Sequence, residues 1–165
     1  MSQPIIYPKR PHIGVDCSGQ PNSPKQPMIA VATRYSRRDK QNKWIVKVPR
    51  EQIKRHYSKR DWQEKIYACI VFKALDKILQ PDYDIHIDRD YPDPNSERKV
   101  RRYLKSLIGY HHAGDPTKEN PDIYFKSRRS SEYVMDAHRK HKLVNIHKMM
   151  VDEKTNLDYL MKLLN

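Results

Sequence analysis

The run His12-Ile13-Gly14-Val15-Asp16-Cys17-Ser18-Gly19 constrains this chain more than any other. From Ile13 to Cys17 it is apolar on both sides of a two-residue alternation, the pattern of a strand buried in the middle of a sheet. Asp16 puts a carboxylate at the end of that strand, and Ser18-Gly19 breaks it. A central strand ending in an acid needs neighbours on both sides, so the other segments matter for what they bring to Asp16.

Residues 1–11 are Pro-rich and read as an extended N-terminal arm. Residues 18–27, with three prolines and Gly19, read as a loop. Met28 to Thr33 forms a second strand and Trp44 to Val48 a third, joined by a charged hairpin loop from Ser36 to Lys43. Pro49 opens a helical region that ends at Pro81. Its wide apolar face from Trp62 onward (Ile66, Cys69, Ile70, Phe72, Leu75) implies burial on more than one side. Tyr83 to Asp88 alternates cleanly, with Ile85 and Ile87 on one face and Asp84, His86 and Asp88 on the other. Ser96 is placed to cap a second helix, whose apolar positions Val100, Tyr103, Leu104, Leu107 and Ile108 keep helical spacing up to Gly109. Asp122 to Lys126 forms a fifth strand, and Ser130 or Ser131 starts a third helix reaching about Met149. Leu157, Leu160, Met161 and Leu164 mark residues 151–165 as an amphipathic C-terminal helix, for docking or alternatively for homodimerisation.

The order is three strands, helix, strand, helix, strand, helix. Short connections make the first three strands antiparallel; the fourth and fifth, each reached through a helix, are expected parallel to the first. The class is α/β: a mixed five-stranded sheet with flanking helices, formed by residues 12–150 as one domain.

Of the 165 residues, 33 are basic and 20 acidic, a formal charge of +13 that no single tail carries. Such a field favours polyanions, nucleic acid before an anionic membrane surface. Cys17 and Cys69 are the two cysteines, read as free thiols in a reducing compartment. Met1-Ser2-Gln3-Pro4 does not open a secretory signal. No stretch approaches the ~20 apolar residues of a membrane span. The expectation is a cytoplasmic protein with no membrane partner.

If the first and fourth strands are parallel neighbours, Asp16 and Asp88 emerge at one sheet edge, where ligand sites of open α/β sheets occur. Asp82, Asp84 and Asp90 compete with Asp88 for that role. Asp136, in the last long helix, is the third carboxylate that could join. Converging carboxylates repel unless protons or divalent cations intervene. Two Mg²⁺ or Mn²⁺ ions about 3.5–4 Å apart activate water and stabilise the leaving oxygen of a phosphodiester. Each Asp alone also reads as a turn former, cap or solvated helix residue.

With an Asp in strand one, an Asp ending strand four and an acid in the last helix, the layout resembles the ribonuclease H-like superfamily. Val15-Asp16-Cys17-Ser18-Gly19 is similar to the Asp-Glu-Ser-Gly opening of an uncharacterised ribonuclease H-like family of microbes and mobile elements. Phe125 to Ala137 resembles that family's closing segment, with Tyr133-Val134-Met135-Asp136 where the family has Gln-Leu-Ala-Asp. The resemblance spans about residues 12–145 and rests on short motifs. It implies a metal-dependent nuclease acting on RNA, a hybrid or structured DNA, with Asp16, Asp88 and Asp136 as catalytic metal ligands. In some members a Glu on the first helix completes the site, and Glu64 is the available candidate for it here. Cys17 replaces the family's Glu, and that departure keeps a second reading open: a catalytically inactive nucleic-acid-binding or assembly protein on the same fold.

For nucleic acid, the grips are Arg37, Arg38, Lys40 and Lys43 in the hairpin, Arg50, Lys54 and Arg55 at the helix start, and Arg128 and Arg129 after strand five. Tyr35 and Tyr57 lie among these charges and could stack on bases; the plain alternative is a solvated face. His138 follows Asp136 and reads as a proton-transfer aid or simply a polar helix residue. No His-Glu-x-x-His run, Walker loop or Gly-x-Gly-x-x-Gly occurs, so zinc-peptidase and nucleotide-loop chemistry find no motif.

Overall fold

A computed structural model describes residues 12–18, 28–35, 40–76, 78–79, 83–88, 93–111, 121–126 and 153–165. The arm over residues 1–11 and the helix expected over 130–149 lie outside the described residues. Strands β1 (His12–Ser18), β2 (Met28–Tyr35), β3 (Lys40–Val48), β4 (Asp84–Asp88) and β5 (Ile123–Lys126) form one sheet in the order β3-β2-β1-β4-β5. β2 is antiparallel to β1 and β3, whereas β4 is parallel to β1 and β5 to β4. The mixed α/β sheet expected from the sequence is present, with β1 at its centre.

One face of the sheet is apolar. Ile13 and Val15, Ala30 and Ala32, Val46 and Val48, Ile85 and Ile87, and Ile123 and Phe125 are buried on it. Helix α2 (Trp62–Asp76) crosses β1, β2 and β3 and also packs against α3 (Pro94–His111) and α4 (Glu153–Leu163). Its apolar face is wide because it has neighbours on several sides. Ile66, Ile70 and Leu75 have no exposed surface, and each contributes about 1.5–3 kcal/mol by leaving water. The Cys69 thiol sits 3.7 Å from the Met161 sulfur, and burial pushes its pKa well above the ordinary thiol range. Both cysteines are free.

Leu157, Leu160 and Met161 of α4 are buried in this same core. The C-terminal helix therefore docks on its own chain, and that stripe is not left open for a second copy. Among the described residues no helix is long and apolar enough to cross a membrane.

Several boundaries differ from those expected from the sequence, and four differences have a physical reason. β3 begins at Lys40, so Lys40 and Lys43 lie on a strand rather than in the hairpin loop; Thr33 pairs with Lys43 and Tyr35 with Lys40 across a register shift. Charged residues on an edge strand are a common guard against edge-to-edge pairing, and they disguised this one. The helical region after Pro49 is two helices, α1 (Arg50–Lys54) and α2, separated by turns whose last residue, Asp61, has φ 53°. The carbonyl of that left-handed residue accepts from the Lys65 N–H at 2.9 Å at the start of α2, and its carboxylate accepts hydrogen bonds from Tyr103 Oη at 2.7 Å and Lys99 Nζ at 2.9 Å. Asp93, not Ser96, caps α3: it accepts from the Asn95 N–H at 2.9 Å and the Ser96 hydroxyl at 3.2 Å, and Pro94 takes the first helical position. Gly109 does not end α3, which continues to His111, whose ring lies 4.6 Å from that of Phe72.

Candidate functional site

The sheet's second face carries the polar residues of β1 and β4. Parallel pairing sets His12 beside Asp84, Ile13 beside Ile85, Gly14 beside His86 and Val15 beside Ile87. Asp16 and Asp88 are the next residue on each strand, so they stand level, on the face opposite Val15 and Ile87. Neighbouring strands lie about 4.8 Å apart, which fixes the scale of the separation between the two carboxylate stems. Asp84 sits four residues earlier, roughly 13 Å along the strand, so it is not level with Asp16. Asp82 and Asp90 lie outside the described residues.

One step before the acids is a row of rings. Gly14 offers no side chain beside His86, and the His86 ring stacks on His12 at 4.2 Å, with Tyr124 of β5 edge-on to His86 at 5.6 Å. Asp16 is 3 % exposed and Asp88 6 %. Oδ2 of Asp16 and Oδ1 of Asp88 are shielded from solvent, and Asp88 Oδ1 accepts no hydrogen bond among the described residues. Two buried carboxylates side by side raise each other's electrostatic energy, a cost that a cation or a proton between them removes.

The structure separates the other acids named from the sequence. Glu64, in the first turn of α2, accepts a hydrogen bond from Ser96 Oγ at 3.2 Å, at the start of α3. Among the described residues no three His, Cys, Asp or Glu side chains gather to hold a metal ion, so Glu64 does not join Asp16 and Asp88 there. Asp136 and His138 lie outside the described residues. Cys17 is 9 % exposed and belongs to the apolar core, paired across from Ala30. Because adjacent strand residues face opposite ways, a Glu at position 17 would point to the core side and not beside Asp16. The departure at Cys17 therefore takes no carboxylate from the face that carries Asp16 and Asp88.

Of the basic residues, Lys54 and Arg55 are exposed and Arg50 is half-buried. Arg50 hydrogen-bonds the Tyr57 hydroxyl and lies 5.5 Å from the centre of its ring, and Trp62 packs on the same ring at 4.4 Å. Tyr57, 38 % exposed, is thus a braced aromatic surface among cations. Arg55 pairs with Asp158 of α4 at 3.5 Å, so part of its charge is already matched. Lys40 and Lys43 are on β3; Arg37, Arg38, Arg128 and Arg129 lie outside the described residues. A basic face on α3, formed by Arg98, Arg101, Arg102 and Lys105, is not among the grips expected from the sequence. Its signal was present in the i, i+3, i+4, i+7 spacing.

Comparison with protein-family models, with curated proteins and with solved structures gives no match to this chain.

Proposed function

We propose that the chain is a ribonuclease H-like, divalent-metal-dependent nuclease that cleaves phosphodiesters in RNA, an RNA–DNA hybrid or structured DNA. The observation that carries this reading is the level placement of Asp16 and Asp88 at the ends of adjacent parallel strands, both buried. The strand order β3-β2-β1-β4-β5, antiparallel on one side of β1 and parallel on the other, supports the same layout.

The donor set fits a hard cation. Carboxylate oxygens suit Mg²⁺ or Mn²⁺, and Asp88 Oδ1, buried without a hydrogen-bond donor among the described residues, is an atom that such an ion would satisfy. Asp16, Asp88 and, from the motif, Asp136 would hold it. Bound there, a pair of such ions supplies the Lewis acidity that activates water towards phosphorus and stabilises the leaving oxygen. The chain's own part is to hold the carboxylates rigidly on two central strands and to draw the polyanion in with its +13 charge.

Asp16→Asn is expected to abolish Mn²⁺-dependent cleavage across a panel of RNA, hybrid and branched DNA substrates while leaving polymer binding intact. Full activity in that variant would sink the proposal. The second reading, a non-catalytic nucleic-acid-binding protein, draws on the finding that no third His, Cys, Asp or Glu joins Asp16 and Asp88 among the described residues. It predicts salt-sensitive binding and no metal-dependent turnover by the unaltered chain.

A further inference from the structure

Helix α3 buries Val100, Leu104, Leu107 and Ile108 and turns a basic face outward. Arg98, Arg101, Arg102 and Lys105 share that face and, with Ser106, line a groove of about 550 Å³. Arg101 fixes one wall: its Nε donates to the Ile123 carbonyl at 3.1 Å and its guanidinium lies 5.4 Å from the Phe125 ring, tying the groove to edge strand β5. Arg102 is held by Tyr103, donating to its hydroxyl at 3.2 Å and lying 4.9 Å from the ring centre. Arg98 and Lys105 are exposed.

Among the described residues none of these four cations meets a carboxylate, although nearby cations do: Lys99 pairs with Asp61 and Arg55 with Asp158. The one acid of α3, Glu97, is buried. Like charges at these spacings work against a helix, and an anion lying on the face removes the repulsion. Arg98 to Lys105 spans about 10 Å of helix at 1.5 Å per residue. Along one strand of a duplex, at about 3.4 Å per nucleotide, that is roughly three phosphates.

We infer that the α3 face is a phosphate-backbone grip for nucleic acid, separate from the Arg50–Arg55 segment. The choice of nucleic acid as the polyanion rests on the proposed function; the grip itself does not depend on any cleavage chemistry. The test is binding of a fluorescein-labelled RNA–DNA hybrid by the full chain, titrated over a range of salt in EDTA, where no cleavage occurs. Arg98→Gln/Lys105→Gln removes two exposed charges, and Arg60→Gln/Lys162→Gln, two exposed charges outside α3, is its charge-matched control. The first pair is expected to weaken binding and to flatten the slope of log K against log salt by about 1.8, at 0.9 per phosphate contact. The control pair is expected to change the slope by much less, and both variants to melt like the parent protein. Equal losses in the two pairs would overturn the grip, as would absence of binding by the parent. So would an effect confined to vesicles containing phosphatidylserine, since that would assign the face to a membrane. Loss of catalysis in Asp16→Asn with unchanged hybrid binding leaves this result standing, so the two proposals fail separately.

Discussion

Asp16 and Asp88 stand level on adjacent parallel strands, each one residue beyond the paired Val15 and Ile87, and both are buried. Two acids so placed make a cation-linked stability change the direct physical readout of the site. Mn²⁺ or Mg²⁺ is expected to raise the melting temperature of the parent chain and to leave Asp16→Asn and Asp88→Asn unmoved. At a hundred times the dissociation constant the gain is about 2.7 kcal/mol, or about 5–10 °C at roughly 2–4 °C per kcal/mol for a chain of this size. Chelation should reverse it. An equal cation response in parent and variants would place the ion elsewhere.

His56 and Asp158 couple the C-terminal helix to pH. The buried His56 ring lies 2.9 Å from the Asp158 carboxylate, through Nε2, and Nδ1 is buried with no hydrogen-bond partner among the described residues. Burial lowers the His56 pKa from its usual 6.5, outweighing the hydrogen bond to Asp158, which raises it. The folded state thus holds His56 neutral, with Nε2–H donating to Asp158. Between the two pKa values the unfolded chain binds more protons, so this contribution is full above about pH 6.5 and is lost as the pH falls towards the lowered value. Melting curves across that window should slope more steeply for the parent than for His56→Gln, which keeps a donor but cannot titrate. Parallel slopes would show that His56 does not carry the linkage.

The parts of the fold set by local period were readable from the chain. Asp84-Ile85-His86-Ile87-Asp88 alternates within itself, so its two faces follow from the sequence, and the helical crossovers made β4 and β5 parallel to β1. What escaped depends on partners distant in sequence. Asp61 adopts a left-handed turn that glycine usually takes, held by Tyr103 and Lys99 some forty residues later. Glu64 turns to Ser96 because α2 packs on α3, a pairing no local pattern announces. The facing of Cys17 was readable in principle, since a neighbour of Asp16 in a strand must point the other way.

Gly109 offers a stability gain. It lies in the last turn and a half of α3, exposed, and a Cβ built on it meets no atom within 4 Å beyond its chain neighbours and its own helix backbone. Its φ is outside the left-handed range, so alanine takes up the same backbone without strain. The helix passes through this glycine because Leu107 and Ile108 are buried on either side of its turn and Phe72 packs on His111. Gly109→Ala lowers the backbone entropy of the unfolded chain and touches nothing in the folded one, for a gain of about 0.4–1 kcal/mol. On melting, that is a rise of roughly 1–4 °C, measurable by circular dichroism or calorimetry on matched samples. A fall would mean that α3 needs its glycine, as it would if the helix closed at position 109 in solution instead of continuing to His111.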